Sequence, residues 1–261
     1  LMIGYAINSI IPRGGEVGRV ISLNTISKTP ASSVLGSVLI ERLMDLAMLG
    51  IIFPLATLLY QDRLEILFPG IYRAVSILVI ITIPGLLLIW FIGKNRKRAI
   101  DVVHKFLGRL RIPGKKNTYT SAGNFLSGLA GFPKKGNTIY LIILTILIWI
   151  MSLLSIWALA YSFPFGDALP MNFSIAILLA LVIGIGSSLP SPGGAGTIHF
   201  FVSQTLSGLF AVSFAQSLAY AIMIHATAVI FAVVLGGICG MWVMLAKKRT
   251  SSKKRDVAER Y

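Results

Sequence analysis

The chain has 261 residues, 56% hydrophobic and 13% charged, with 24 Lys and Arg against 9 Asp and Glu for a net charge of +15. A soluble domain carries about a quarter charged residues, and one with a mean hydropathy of +0.82 keeps no wettable exterior once its core is filled. The same balance excludes disorder, and the single Cys239 excludes a disulfide scaffold, which leaves a polytopic membrane protein.

The sequence opens at Leu1 without a charged leader and cleavage site, and Leu1 to Ile11 reads as the end of another span or half-span. Crossing the hydrocarbon layer takes about 20 apolar residues. Val34 to Tyr60 meets that length although it contains Glu41, Arg42 and Asp45, and Ile71 to Gly93 meets it without a charge in its apolar heart. Residues 94–138 form a basic loop, with eleven Lys and Arg from Lys94 to Lys135 against Asp101 alone. Within it Ile100, Val103, Leu107 and Leu110 recur at helical spacing, and Ala122, Phe125, Leu126 and Leu129 mark a second short helix. These helices either lie in the membrane surface or pack as ordinary loop helices. His104, among the basic residues, reads as solvated.

Ile139 to Phe163 is the next span. Two shorter apolar stretches, 173–189 and 197–214, then flank Pro190-Ser-Pro-Gly-Gly-Ala-Gly196, where prolines and glycines forbid a continuous helix. Ser217 to Ala246 is the last span, and residues 247–261 form a basic tail. A pI of 10.3 fits nucleic acid in a soluble protein. Here the basic blocks abut apolar runs, so they read as cytoplasmic segments under the positive-inside rule, touching anionic lipid headgroups and no nucleic acid. With loop and tail both inside, the short stretches either both cross or form a re-entrant hairpin entering from outside, and the hairpin is the preferred reading. The fold class is therefore an all-α polytopic membrane bundle with broken or re-entrant helices, one domain over residues 1–246.

A pattern occurs twice. Ser9-Ile-Ile-Pro-Arg-Gly-Gly-Glu16 and Ser187-Ser-Leu-Pro-Ser-Pro-Gly-Gly-Ala-Gly196 each place Pro and Gly-Gly after a polar residue, and each precedes a short segment and a long span. The two spans run in opposite directions, which is the mark of an inverted repeat with broken helices meeting near the midplane. Unwound backbone in lipid needs protein or water around it, so a polar cavity is expected there. A helix N-terminus behind a glycine break suits a phosphate.

Ionisable groups at such depth are costly. Arg13, Arg19 and Arg42 are the expected contacts for a lipid phosphate, because a guanidinium grips phosphate with two parallel donors. Glu41 or Asp45 balances that charge, and Arg42 reaches Asp45 at i,i+3. The competing reading is an ion pair that holds two helices together. Glu16 either joins the site or caps the helix after the first Gly-Gly. Pro190, Gly193 and Gly194 shape the second break, and His199 and His225 are either proton carriers or helix–helix hydrogen bonders. Gly236 and Gly240 read as close helix packing. The sequence has no metal spacing, nucleophile elbow or phosphate loop, so neither metal nor cofactor is expected.

Asn8 to Glu16, Arg19, Glu41-Arg-Leu-Met-Asp45 and Leu189-Pro-Ser-Pro-Gly-Gly-Ala-Gly196 together resemble the lysylphosphatidylglycerol synthase transmembrane region, the flippase-like domain family. The resemblance covers nearly the whole chain. It implies a cell (inner) membrane protein that moves a phospholipid or polyprenyl-linked amphiphile between leaflets, and it implies further spans before Leu1. The chain departs from the family at His199, where members often carry an acid, and has no soluble aminoacyl-transferase domain after Ala246, so synthase activity does not follow. The alternatives are a membrane enzyme acting on lipid-linked substrates, with Glu16, Glu41 and Asp45 as its acids, and an accessory protein that docks a lipid-modifying enzyme or glycosyltransferase on the basic loop.

Overall fold

The computed structural model describes residues 1–11, 14–60, 63–109, 115–129, 135–169, 172–189, 191–210 and 212–258. Within them lie eleven helices: α1 (Met2–Ile10), α2 (Gly14–Ser27), α3 (Ala31–Tyr60), α4 (Arg63–Leu67), α5 (Ile71–Lys94), α6 (Arg96–Arg109), α7 (Lys115–Leu129), α8 (Lys135–Ser162), α9 (Ser174–Ser188), α10 (Thr197–Leu209) and α11 (Phe214–Ala258). α3, α5, α8 and α11 are long and apolar enough to cross a membrane, and they match the four spans read from the sequence, the third ending at Ser162 rather than Phe163. Only 6% of the apolar stretch of α8 and of α11 is buried, so their Ile, Leu and Phe side chains face hydrocarbon rather than a protein core. α11 continues without a break into the basic tail.

α9 is the centre of the bundle. Ile175 to Val182 are buried without interruption, as expected of a helix that is apolar all round. They pack on α3, α8 and α10. Tyr220 of α11 closes this core, wholly buried, and its hydroxyl donates to the Ile156 carbonyl of α8 at 3.1 Å.

Two helical hairpins enter the bundle from opposite ends. α9 and α10 have both outer ends beside the C-terminus of α3. The Tyr60 hydroxyl meets Ser174 Oγ at 2.9 Å, and its ring lies edge-on to Phe210 with centroids 6.0 Å apart. α1 and α2 form the other hairpin. Its crossing is close enough that a methyl on Gly15 would strike the Gly4 carbonyl oxygen, and one on Gly18 the Ile7 side chain. α11 gives a common ruler. Gln216 donates to the Pro164 carbonyl at one end, His225 meets the α9–α10 tip, and Gly236 lies against Met2 and Ala6 of α1. α1 therefore climbs from the Gly236 level toward His225, and its last turn touches the opposing tip, where a Cβ on Gly193 would stand 3.1 Å from the Ser9 Cα. Phe214 to His225 measures about 16 Å of helix, half of a hydrocarbon layer of about 30 Å. The long helix after each hairpin, α3 and α11, runs in the opposite sense to the other, which is the inverted arrangement that the repeated motif implies.

The basic loop folds as the α6–α7 pair against the lower ends of α3, α5 and α8. Ile100 and Val103 of α6 and Phe125, Leu126 and Leu129 of α7 join Ile40 and Ile89 in a second apolar cluster. One face is thus packed, while Val102 and Phe106 remain exposed on the other. His104 is not solvated. Its ring sits 4.7 Å from that of Tyr119, and its Nε2 is enclosed without a partner among the described residues. α7 approaches α3 through glycines, since a methyl on Gly36 would meet the Phe125 carbonyl and one on Gly128 the Ser33 carbonyl.

Gly36→Ala and Gly128→Ala each force backbone apart and are expected to destabilise the protein by about 1–3 kcal/mol. Gly123→Ala on the open side of α7, with nothing within 4 Å, leaves thermal unfolding in detergent unchanged or raises it. Equal melting temperatures for all three variants contradict the crossing.

Candidate functional site

The site lies where the hairpin tips meet. The α9–α10 tip is a 3-10 turn over Pro192–Gly194 with Gly193, Gly194 and Gly196 at φ of 56°, 86° and 83°. Those left-handed values are open to glycine and strained for any residue with a Cβ. The turn uses its own polar groups. Thr197 Oγ1 donates to the Gly194 carbonyl at 3.1 Å and pairs with Ser191 Oγ at 2.9 Å, and the Ala195 N–H donates to the Pro192 carbonyl at 2.8 Å. At the other tip the Gly15 N–H at the start of α2 donates to Asn8 Oδ1 of α1 at 2.7 Å. The start of α2 thus has one of its free donors satisfied.

His199 of α10 and His225 of α11 tie the second tip to the long helix. His225 Nε2 lies 3.1 Å from the Gly193 carbonyl, His225 Nδ1 lies 3.0 Å from His199 Nε2, and the Gly196 N–H points at His199 Nδ1 at 3.4 Å. The two ends of this chain fix its direction. A carbonyl only accepts, so His225 Nε2 carries hydrogen and its Nδ1 accepts. His199 Nε2 then donates, and its Nδ1 is free to accept from Gly196. Two neutral imidazoles satisfy every contact. Any added proton ends on a ring nitrogen facing another donor, at His199 Nδ1 opposite the Gly196 N–H. Among the described residues, the titratable group with electrostatic reach to His199 is His225.

The charges assemble below this junction. Arg19 of α2 grips Glu41 of α3 with both ends of its fork, Nη1 to Oε2 at 2.7 Å and Nη2 to Oε1 at 2.6 Å. The Arg19 side chain is 12% exposed and the Glu41 side chain 40%, so the cation is the enclosed partner. Arg42 reaches Asp45 at 3.4 Å as the i,i+3 spacing implies, with both side chains half exposed. Glu16 lies in the first turn of α2, within electrostatic reach of Arg19, and Glu41 lies within reach of Asp45. Glu41 is about 12 Å down α3 from Leu49, the residue packed on Gly184 of α9.

The expected residues therefore lie in three places. Gly193, Gly194, His199 and His225 gather at one tip, Glu16 stands at the start of α2 beside the other, and Arg19, Glu41, Arg42 and Asp45 lie nearer the basic loop. Arg13 and Pro190 lie outside the described residues. Arg19 and Glu41 meet as the ion pair between two helices, the competing reading of these charges. Sequence reasoning left Asn8 and Ser9 out of the site although both stand in the first motif, and it did not pair Arg19 with Glu41 or His199 with His225. Gly236 does pack closely, against α1, whereas Gly240 has nothing within 4 Å.

The family model described as Lysylphosphatidylglycerol synthase TM region matches residues 1–236. No curated protein and no solved structure matches the chain.

Two outcomes follow from these contacts. In a double-mutant cycle with Arg19→Ala and Glu41→Ala, the double variant destabilises less than the sum of the two single changes, with a coupling of about 0.5–3 kcal/mol. A coupling near zero in thermal melts removes the interhelical pair. On acidification, amide hydrogen exchange of residues 191–199, corrected for the intrinsic rate, rises in the parent protein. It stays flat in His199→Gln. An equal acid response in both places the sensitivity elsewhere.

Proposed function

We propose a translocase that passes a phospholipid or polyprenyl-linked amphiphile between leaflets: the chain belongs to the Lysylphosphatidylglycerol synthase TM region family, a multi-pass membrane family tied to lipids. The observation that carries the reading is the contact of Ser9 with Gly193, two hairpin tips arriving from opposite ends about half a hydrocarbon layer deep. Such tips are discontinuities with few backbone bonds between them, so one hairpin can rock against the other and open the junction to either end. Arg19, loosened from Glu41, is the cation suited to a phosphate, and Gly193 with the histidine pair is the hinge on the opposite side. The basic loop and the tail face the cytoplasm in this reading, in the inner membrane, with Val102 and Phe106 seated among the headgroups. Membrane lipids are the partners, and no covalent step is assigned to the chain. A lipid-modifying enzyme or glycosyltransferase docking on α6–α7 is the alternative role for the basic surface.

Purified protein in vesicles is expected to speed the exchange of headgroup-labelled anionic or aminoacylated phospholipid between leaflets severalfold over empty vesicles. Gly193→Ala, strained at φ 56° and pressed on Ser9, abolishes most of that gain. Leaflet asymmetry unchanged for every anionic, aminoacylated and polyprenyl-linked lipid tested refutes the translocase.

A further inference from the structure

A second lipid site lies on the outer wall of the bundle, away from the hairpin tips. α3, α5 and α8 enclose a groove of about 580 Å³, within the range of small-molecule sites at roughly 300–1,000 Å³. Met44, Met48 and Ile51 line one side, Leu87 and Trp90 another, and Ile146 the third. The one hydroxyl in the lining, on Thr145, donates to the Leu141 carbonyl at 2.9 Å and approaches Met44 Sδ at 3.8 Å, so it is already used. The lining is otherwise aliphatic, thioether and indole, and an apolar cavity of this kind stays dry or takes an apolar occupant. Ile51, Leu87 and Ile146 are also exposed on the outer surface, which opens the groove sideways to lipid chains.

The lower mouth carries the sign of the headgroup. Trp90 is the lining residue closest to the basic end of α5, and Lys94 one turn further holds its Nζ 5.0 Å from the Trp90 ring centroid. Lys94 is exposed and pairs with no carboxylate among the described residues. Lys97 and Arg98 follow at the start of α6, also exposed. A chain-shaped apolar slot that ends at an indole and an unneutralised ammonium matches one class of molecule, a phospholipid with its acyl chain between α3 and α8 and its phosphate at Lys94. We propose that this groove binds a single anionic phospholipid from the leaflet on the basic side of the protein.

The site makes no use of the hairpin tips or the Arg19–Glu41 pair, and it stands or falls apart from translocation. The test uses the full chain in bilayers that contain phosphatidylglycerol or phosphatidylcholine with dibrominated acyl chains, which quench nearby indoles. The difference between the parent protein and Trp90→Phe isolates Trp90 from the other three tryptophans. At equal mole fraction brominated phosphatidylglycerol is expected to occupy the Trp90 site about fivefold better than brominated phosphatidylcholine, the preference due to one cation at a membrane surface. Lys94→Gln removes that preference while leaving quenching by phosphatidylcholine unchanged. Ala47→Phe, which fills the groove, lowers quenching by both lipids, and Ile146→Phe at its mouth serves where Ala47→Phe does not fold. Equal quenching by the two lipids in the parent, a preference that survives Lys94→Gln, or undiminished quenching with the groove filled each overturns the proposal in favour of ordinary boundary lipid. Failed transport in the vesicle assay beside a Lys94-dependent preference here refutes the translocase and keeps this site.

Discussion

A main chain that leaves the helix inside hydrocarbon must still hand its N–H and C=O groups to partners, because lipid offers none. The α9–α10 tip does this almost entirely with its own atoms. Left-handed glycines turn the chain tightly enough for Thr197 to reach back to the Gly194 carbonyl, and they aim the Gly193 carbonyl at His225. At the start of α2 one amide side chain, Asn8, takes a single free donor, the Gly15 N–H. The meeting of Ser9 with Gly193 brings these two ends together.

Once the tips are satisfied, small residues decide how closely the helices approach. Apolar side chains gain little from leaving lipid tails for each other, so association in a membrane relies on close backbone packing and on polar contacts. Gly4 against Gly15, Gly18 against Ile7, and Gly236 against Met2 and Ala6 bring α1 within backbone distance of both α2 and α11. That proximity places Ser9 on Gly193. Glycine spacing by itself does not do this, since Gly240 carries the same four-residue interval from Gly236 and faces open space.

The spans, the two breaks and their opposed orientation were legible because each is a local property: a run of apolar residues, a cluster of Pro and Gly, a bias of Lys and Arg on one side. The Arg42–Asp45 contact was legible for the same reason, at three residues' separation. Arg19 with Glu41 and His199 with His225 were not, being 22 and 26 residues apart, because nothing in one chain says which side chains share a level in the bundle. A fixed hydrophobic face on α6 was readable at Ile100 and Val103. Its destination, the Ile40–Ile89 cluster rather than the lipid surface, depended on where α3 and α5 end. His104 went the same way, since only the return of α7 brings Tyr119 over its ring.

The two halves are alike in path and unlike in charge, and the difference bears on how each can be moved. The first turn of α2 carries Glu16, and this hairpin is held to its long helix by Arg19 and Glu41, a full ion pair. The first turn of α10 carries no acid, and its tip is tied to α11 through two imidazoles. A helix N-terminus attracts negative charge within about one turn, so an anion at the junction meets repulsion from Glu16 on one side and none on the other. Releasing the first hairpin requires something that competes for a guanidinium, for which a phosphate is the natural competitor. The tip of the second is tied to α11 by neutral groups, for which an anion does not compete. An inverted repeat whose halves answered to the same stimulus would open both ends together. In the proposed translocase, a latch for which an anion competes on one side only would let the first hairpin move while the second stays closed.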